Sequence, residues 1–200
     1  APCIDAAYRE AALALRPFFG MEAGDWFIAR TGYTGEDGVE IFFPAEQAVK
    51  MWDTILNTGQ ATGIEIKPVG LAARDSLRFE PAFPLYGHEI GAEISPLEAN
   101  LSWVCKFESD FIGKEALLKQ KEAGLPKKLI GFELTDKGMP REGYGVANEQ
   151  GEEIGQVVTG MYAPTVDKYC GHAFVDPAYA QPGTSIQIIV RNQPKAAVVV

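Results

Sequence analysis

The stretch Arg30–Pro44, RTGYTGEDGVEIFFP, holds three glycines, a tyrosine and three acidic residues before it runs into apolar positions. This pattern predicts a strand end, a glycine-rich turn and a second strand. Glycine permits the positive φ angles of tight turns and lets a ligand approach the backbone closely. Because side chains alternate along a strand, Glu40 shares a face with Phe42. A carboxylate in a core is costly unless something hydrogen-bonds it, so Glu40 is the first candidate binding residue.

Two interpretations of this stretch stay open from spacing alone. The turn lacks the Gly-Lys-Ser/Thr of a phosphate-binding loop, and a strand rather than a helix follows, which excludes a dinucleotide fingerprint. It is therefore either a structural hairpin or a turn that contacts a ligand. Glu40 is correspondingly either an edge-strand carboxylate in water or a buried carboxylate that accepts two adjacent N–H donors of a flat heterocycle.

Composition narrows the classes of protein. The chain has 200 residues, 46% of them hydrophobic, and a formal charge of -9, which argues against a nucleic-acid partner. The acidic excess is concentrated in residues 1–100, which carry a net charge of -8, so each arginine there is a candidate for pairing an acid or binding an anion. Three widely spaced cysteines predict neither disulfides nor a metal site and fit a reducing compartment. We expect no membrane span and no signal peptide.

Hydrophobic spacing in the first half predicts alternating strands and helices, which favours an α+β layer with helices on one face of a sheet. Gly59 is expected to end the longest helix. The last helix of this half is expected to place Val69, Ala72, Ala73 and Leu77 on its apolar side. The predicted elements are helix 6–15, strand 25–29, helix 45–59, strand 64–66 and helix 69–80.

The second half begins with a long connection rich in proline and glycine, residues 81–103, of a kind that is often functional. A strand at 101–107 and a helix at 110–124 capped by Asp110 are expected next. Short β-branched runs separated by turn residues follow and predict a small antiparallel barrel or sandwich. The predicted strands of this region are 129–134, 153–159, 173–176, 185–190 and 196–200.

Two arginines in AARDSLRFE stand four residues apart on one helix face. We expect Arg78 to lie on a solvated face with local ion pairs. Arg74 lies close to the apolar stripe and is the better candidate to pair a buried acid or a ligand carboxylate.

The histidines do not form a recognisable catalytic pattern. PLYGHEI gives His88-Glu89 without the second histidine that a zinc helix needs four residues later. Cys170 and His172 lack the strand-to-helix elbow of a nucleophile pair, and Cys170 is interpreted as an ordinary strand residue. We expect no metal.

Three segments together, RTGYTGEDGVEI (30–41), GLAARDSLRFEPAFPLYGHEI (70–90) and SPLEANLSW (95–103), strongly resemble the T protein of the glycine cleavage system. The tail segments EEIGQVVTGMYAP (152–164) and GHAFVD (171–176) resemble the C-terminal barrel of the same family. The resemblance implies a tetrahydrofolate-dependent aminomethyltransferase. Such an enzyme transfers a methylene group from the aminomethyl-lipoyl arm of a carrier, the H protein, to tetrahydrofolate and releases ammonia. It requires mainly that N5 of the folate lies against the methylene carbon.

The same resemblance assigns residues to the folate site. Glu40 is implied to bind the pyrimidine edge of the pterin, Arg74 to contribute to the same site, and Tyr33 to form a pocket wall. No residue is implied to be catalytic, because the family's candidate aspartate precedes the part that matches this chain. Residues 1–107 are thus expected to form the C-terminal part of a folate-binding domain, 108–127 a linking helix and boundary, and 128–200 a barrel with its last strand truncated.

We expect this chain to show little or no turnover alone, and its exposed sheet edges to cause dimerisation, swapping or marginal stability. Two alternatives share the resemblance: the folate-binding domain of a related demethylating enzyme, and a non-catalytic folate-binding module. The expected compartment is the cytoplasm, or the mitochondrial matrix for a eukaryotic source.

Overall fold

The structure, a computed structural model, describes residues 3–200, so the start at Ala1-Pro2 lies outside it. The described chain divides into two compact units, one extending to Pro81 and the other from Ala82 to Val200. The first contains a three-stranded sheet with helices and the second a closed barrel, which confirms the predicted α+β class. Within residues 3–200, no helix combines the length and apolarity needed to cross a bilayer.

The first unit is built on an antiparallel sheet of short strands. Its order is β1-β2-β3, with each strand hydrogen-bonded to the next in the chain. The bounds are α1 Ala6–Leu13, β1 Gly20–Ala23, β2 Trp26–Ala29, β3 Glu40–Phe42, a 3-10 turn Ala45–Gln47, α2 Ala48–Thr62 and α3 Leu71–Phe79. The strand β1 was not predicted, because GMEA is short and carries an acid.

One face of this sheet forms the small core of the unit. Met21, Ile28 and Ile41 stand opposite one another in the register, and Ile28 is completely buried. Ala12 of α1 and Ile4 pack against this face. The opposite face carries Glu22, Phe27, Glu40 and Phe42 and is open to solvent over much of its area. Sheet burial on one face only is typical of short antiparallel sheets.

The prediction that Gly59 ends α2 is wrong. The helix continues to Thr62 and ends at Gly63, whose φ of 69° is the left-handed conformation of a helix C-terminal glycine. Gly59 instead allows a close approach, because a Cβ there would lie 2.8 Å from both the Ile64 carbonyl oxygen and the Ile66 side chain. The predicted strand at 64–66 is also wrong: this segment has no regular secondary structure, and its Ile64 carbonyl and Ile66 side chain lie close to Gly59.

The predicted apolar side of α3 is reversed. Val69 is 66% exposed and Leu77 40% exposed, whereas Arg78 is 1% exposed. The expectation of a solvated Arg78 is therefore wrong, although the expected local ion pair is present: its Nε donates to Asp75 Oδ1 at 2.7 Å. Pairing and hydrogen bonding are what permit a guanidinium to be buried.

The second unit begins with turns and isolated bridges from 82 to 101, as predicted for this connection. The expected strand at 101–107 is wrong, since Ser102–Val104 is a 3-10 turn. Asp110 does not cap α4. The helix begins at Lys114, and the residue before it, Gly113, has a left-handed backbone conformation. Gly124 does end this helix, as expected. The remaining bounds are α4 Lys114–Ala123, β4 Lys128–Leu134, β5 Gly145–Ala147, β6 Glu153–Ala163, β7 Lys168–Val175, β8 Ser185–Val190 and β9 Gln193–Val199.

The six strands close into an antiparallel barrel of order β4-β7-β6-β5-β8-β9. All five predicted strand regions are present, and β5 is the one that the pattern missed. Closure comes from the pairing of Phe132, Glu133 and Leu134 with β9. Alternate residues point inward and are almost fully buried, for example Phe132 at 0% and Ile188 at 0%. The predicted domain bounds at 107 and 127, and the predicted truncation of the last strand, stay predictions.

Candidate functional site

The open face of the three-stranded sheet carries the candidate site. Gly20, Ala29 and Glu40 form one row across the three strands, so they project to the same face. Phe27 and Phe42 form the next row on that face, with ring centroids 6.2 Å apart. The two rings are tilted by 53° to each other. An aromatic patch beside a carboxylate is suited to a heterocycle with a polar edge.

Glu40 begins β3 at the edge of the sheet. The register confirms that it shares a face with Phe42. Its carboxylate is exposed and accepts a hydrogen bond from the Thr31 hydroxyl. Of the two interpretations left open by the sequence, this chain shows the edge-strand carboxylate in contact with solvent. Thr31 was not singled out in the sequence, and it lies two residues after Ala29, the strand residue that pairs with Glu40. The hydrogen bond from Thr31 restricts the carboxylate. Because each carboxylate oxygen has two lone pairs, both oxygens can still accept a donor from a ligand.

The glycine-rich turn between β2 and β3 uses its glycines unequally. Gly35 has φ 72°, and a Cβ added there would lie 2.9 Å from Pro81 Cβ, so glycine is required at this position. Gly32 and Gly38 have open space around them. Arg30 Nη2 binds Asp37 Oδ1 at 2.9 Å across the turn. The turn is therefore an ordered irregular loop rather than a tight two-residue hairpin.

Two of the predicted site residues are in direct contact. The Arg74 guanidinium lies over the ring of Tyr33 at 4.7 Å from its centroid, a cation–π contact between α3 and the glycine-rich turn. The Arg74 side chain belongs to an exposed residue, so its polar edge is available. Because the same turn carries Thr31 at its start, it connects the Tyr33–Arg74 pair to Glu40.

A second polar cluster lies in the barrel unit. Glu89 is 1% exposed, accepts from the Leu85 backbone N–H at 2.9 Å, and is 2.9 Å from His172 Nδ1 on β7. Burial raises the pKa of Glu89, but hydrogen bonds from His172, Thr159 and Leu85 outweigh it and hold the pKa at about 2. His172 is thereby engaged in fixing the PLYGHEI segment to the barrel.

His88 takes a separate position from its neighbour. Its Nδ1 lies 2.8 Å from the Val158 carbonyl oxygen of β6. Across residues 3–200, no three His, Cys, Asp or Glu side chains come together in a way that could hold a metal ion.

Comparison with known proteins identifies the family. The family model of the GCVT N-terminal domain matches residues 15–109. The family model of the glycine cleavage T-protein C-terminal barrel domain matches residues 127–200. The chain belongs to the glycine cleavage T-protein family. The second match coincides with the β4–β9 barrel, and the first contains the open face and the Tyr33–Arg74 contact.

Relatives of this T-protein chain are named aminomethyltransferase. The one from Caldanaerobacter subterraneus is 53% identical over 174 residues, covering 86% of this chain and 46% of that one. The one from Alkaliphilus oremlandii is 50% identical over 182 residues, covering 90% and 48%. The chain thus spans about half the length of the curated relatives it matches.

A solved structure supports the same assignment. The crystal structure of glycine cleavage system aminomethyltransferase T from Bartonella henselae matches with a TM-score of 0.86 at 31% identity. It covers 97% of this chain, whereas this chain covers 55% of it. Both units of the T-protein chain therefore have counterparts in that structure.

Proposed function

We propose that this chain is the C-terminal portion of an aminomethyltransferase that acts with a lipoyl carrier protein and tetrahydrofolate in glycine degradation. The family assignment and the names of the relatives support this proposal. The observation that carries it is the open face on which Glu40, held by Thr31, stands beside Phe42, while the adjoining turn supplies the Tyr33–Arg74 contact. The proposed compartment is the cytoplasm, which agrees with the finding that Cys3, Cys105 and Cys170 form no disulfide.

The proposed reaction moves one carbon between two carriers. N5 and N10 of tetrahydrofolate form bonds to the methylene carbon, and the carbon loses its bonds to the amine nitrogen and to the lipoyl sulfur. The amine leaves as ammonia, and the sulfur becomes a thiol of the dihydrolipoyl carrier. The demand on the protein is to hold the folate so that its nitrogens face the arriving carbon.

Glu40 meets that demand at the pyrimidine end of the folate. A 2-amino-pyrimidinone edge presents two adjacent N–H donors, which match a carboxylate. The Thr31 hydroxyl restricts the Glu40 side chain before the ligand arrives, so less rotamer entropy is lost on binding.

Arg74 and Tyr33 are proposed to form a wall of the same site. Stacking on Tyr33 holds the guanidinium in one orientation, which leaves its N–H groups free to donate to a polar group of the folate. Lysine would keep the charge but lose the planar stack. We assign no catalytic group in this chain and expect little or no turnover from it alone.

The direct test is a calorimetric titration of this chain with 5-methyltetrahydrofolate, run on the wild type and on Glu40→Gln. The variant should bind at least tenfold more weakly, a loss of about 1.4 kcal/mol. Glu22→Gln is the matched control, because Glu22 is an exposed carboxylate on the same face of the same sheet. It should bind like the wild type.

Equal binding by the wild type and Glu40→Gln would show that the assignment of Glu40 is wrong. Weaker binding by both Glu40→Gln and Glu22→Gln would show a general charge effect rather than a specific contact. A separate assay tests the absence of turnover: release of ammonia from a loaded carrier by this chain alone would contradict it.

A further inference from the structure

A cleft of about 730 Å³ lies on the outer surface of the barrel. The turns of the 82–101 connection form one wall of it, and strands β6 and β7 form its floor. All of its lining residues lie between positions 87 and 176, within the second unit. Because both strands belong to the closed barrel, the floor of the cleft is not an open sheet edge.

The strand register determines which side chains face the cleft. Val157 and Val175 are almost fully buried in the barrel core. Their neighbours Gln156 and Phe174, which stand opposite each other, therefore project to the outer face. The Lys127 ammonium lies 4.9 Å from the centroid of the Phe174 ring. The floor of the cleft is thus apolar at Phe174, with a cation held against it.

His88 lines the cleft with one ring nitrogen already bonded. Its Nδ1 lies 2.8 Å from the carbonyl oxygen of Val158, the extra residue of a bulge in β6. A carbonyl can only accept, so Nδ1 carries the proton and Nε2 of the neutral ring is an acceptor. Within residues 3–200, Nε2 has no hydrogen-bond partner. The ring therefore provides one acceptor that the fold does not use.

Carboxylates outnumber cations along the lining of the cleft. Glu142, Glu153 and Asp176 line it beside the ammonium of Lys127, a formal charge of -2 with His88 neutral. Glu142 Oε2 lies 3.8 Å from His88 Nδ1. In the described part of the chain, neither Glu142 nor Glu153 pairs with a lysine or arginine. Charge complementarity therefore favours a cationic ligand.

The hydrogen-bonding groups narrow the kind of cation. A primary ammonium has three N–H donors and no acceptor. It can donate to His88 Nε2 and to the Glu142 carboxylate, while an attached alkyl chain can lie along Phe174. A quaternary ammonium lacks the N–H groups, and a carboxylate ligand is repelled by the acidic lining.

We infer that this cleft binds a primary alkylammonium ion, with His88 Nε2 and the Glu142 carboxylate as its acceptors. The ammonium belongs either to a free amine or to a lysine side chain of another protein. The site consists of residues of the second unit alone, and it does not rest on the proposed function.

The test compares three probes of equal length that differ in charge. The chain labelled with nitrogen-15 is titrated with pentylammonium, 1-pentanol and pentanoate at about pH 8, above the usual range of histidine titration. The imidazole nitrogens are followed by NMR, which resolves His88 because the chain has only two histidines. The free chain should show His88 protonated on Nδ1 and not on Nε2. Pentylammonium should shift the Nε2 signal and bind at least about threefold more tightly than the other two probes.

Two variants and one control assign the contacts. His88→Asn keeps an amide N–H for the Val158 carbonyl but has no counterpart of Nε2, and it should bind pentylammonium about threefold more weakly. Glu142→Gln should cause a loss of similar size, about threefold, because the charge of the second acceptor is removed. Glu149→Gln removes the same charge from an exposed residue of this unit outside the cleft, and it should bind like the wild type.

A fourth probe, Nα-acetyl-lysine methylamide, carries the same ammonium on a peptide unit. Tighter binding of this probe than of pentylammonium would assign the ammonium to a protein lysine, and the reverse order would assign it to a free amine.

Four results would overturn the inference and leave the proposed function unaffected. Equal binding of pentylammonium and 1-pentanol would show an apolar cleft without a cation site. A proton on Nε2 of His88 in the free chain would remove the acceptor. Equal losses in Glu142→Gln and Glu149→Gln would show a general charge effect. No shift at His88 with any amine, up to its solubility limit, would show that the cleft binds none.

Discussion

The sheet of the first unit and the barrel of the second use strands in opposite ways. The barrel joins six strands of up to 11 residues into a closed surface, so its inward side chains are buried and no long edge is left. The sheet has three strands of three or four residues, buries one face and leaves Phe27, Phe42 and Glu40 on the other. The difference separates stability from binding: the closed region supplies packing, and the open region supplies the contacts proposed for the ligand.

The largest loss of stability should come from a large-to-small substitution in the barrel core. Phe132 is completely buried, so Phe132→Ala should destabilise the barrel by about 4 kcal/mol through lost burial and a cavity. Phe42 is 57% exposed on the sheet, and Phe42→Ala should cost less than about 1 kcal/mol. Urea unfolding followed by circular dichroism measures both. Equal losses would contradict the contrast between a closed core and an open face.

Acid should remove the stabilisation that the ionised Glu89 carboxylate gives to the second unit. The folded pKa of Glu89, about 2, lies below its ordinary value of 4.5, so the fold favours the ionised form. Its contribution is present above pH 4.5 and is lost as the pH falls towards 2, a change of about 3 kcal/mol. Urea midpoints measured between pH 6 and pH 2 test this.

Glu89→Gln serves as the control for that acid titration. The amide cannot titrate, so the variant should start less stable at neutral pH and lose less stability on acidification than the wild type. Parallel losses in the two proteins would show that other carboxylates cause the acid sensitivity.

A smaller loss of stability is expected from a substitution at the C-terminal end of α2. Gly63 has φ 69° and open space around the site of a Cβ, so Gly63→Ala introduces only backbone strain. The variant should be destabilised by about 1 kcal/mol, as measured by thermal melting. No change would show that the helix end relaxes to another conformation at no cost.

The smallest change in stability is expected from removing the ion pair of the glycine-rich turn. The Arg30–Asp37 ion pair is exposed, with the Asp37 side chain 89% accessible. Asp37→Asn should therefore change stability by no more than about 0.5 kcal/mol, and even this should vanish in high salt. A loss well above that in a thermal melt would mean that the turn, and not only the sheet, carries the stability of the first unit.

The barrel strands could be predicted because each has a repeated local signature, β-branched residues alternating between turn residues. The strand β5 was not predicted, because its three residues, Gly145–Ala147, are too few to show the alternation of a strand. In the first unit local signals misled where tertiary contact decided the outcome. Gly59 resembles a helix stop but is needed for the close approach of Ile64, and nothing local to the sequence shows that contact.

The candidate site was partly predictable. Alternation along a strand placed Glu40 beside Phe42, and the family resemblance suggested Tyr33 and Arg74, whose mutual contact the structure adds. The support of Glu40 by Thr31 depends on the register of β2 and β3, which the sequence does not specify. Arg78 was taken for a solvated residue because charged residues are rarely buried, and the pairing with Asp75 makes it an exception.

Hydrogen exchange of this chain, measured by mass spectrometry with and without saturating 5-methyltetrahydrofolate, tests the central claim most directly. We expect increased protection in 20–42 and 71–79, which carry the open face, the glycine-rich turn and α3, with no change in the β4–β9 barrel. Protection confined to the barrel, or an unchanged pattern at a ligand concentration that calorimetry shows to be saturating, would contradict the assignment of binding to the open sheet.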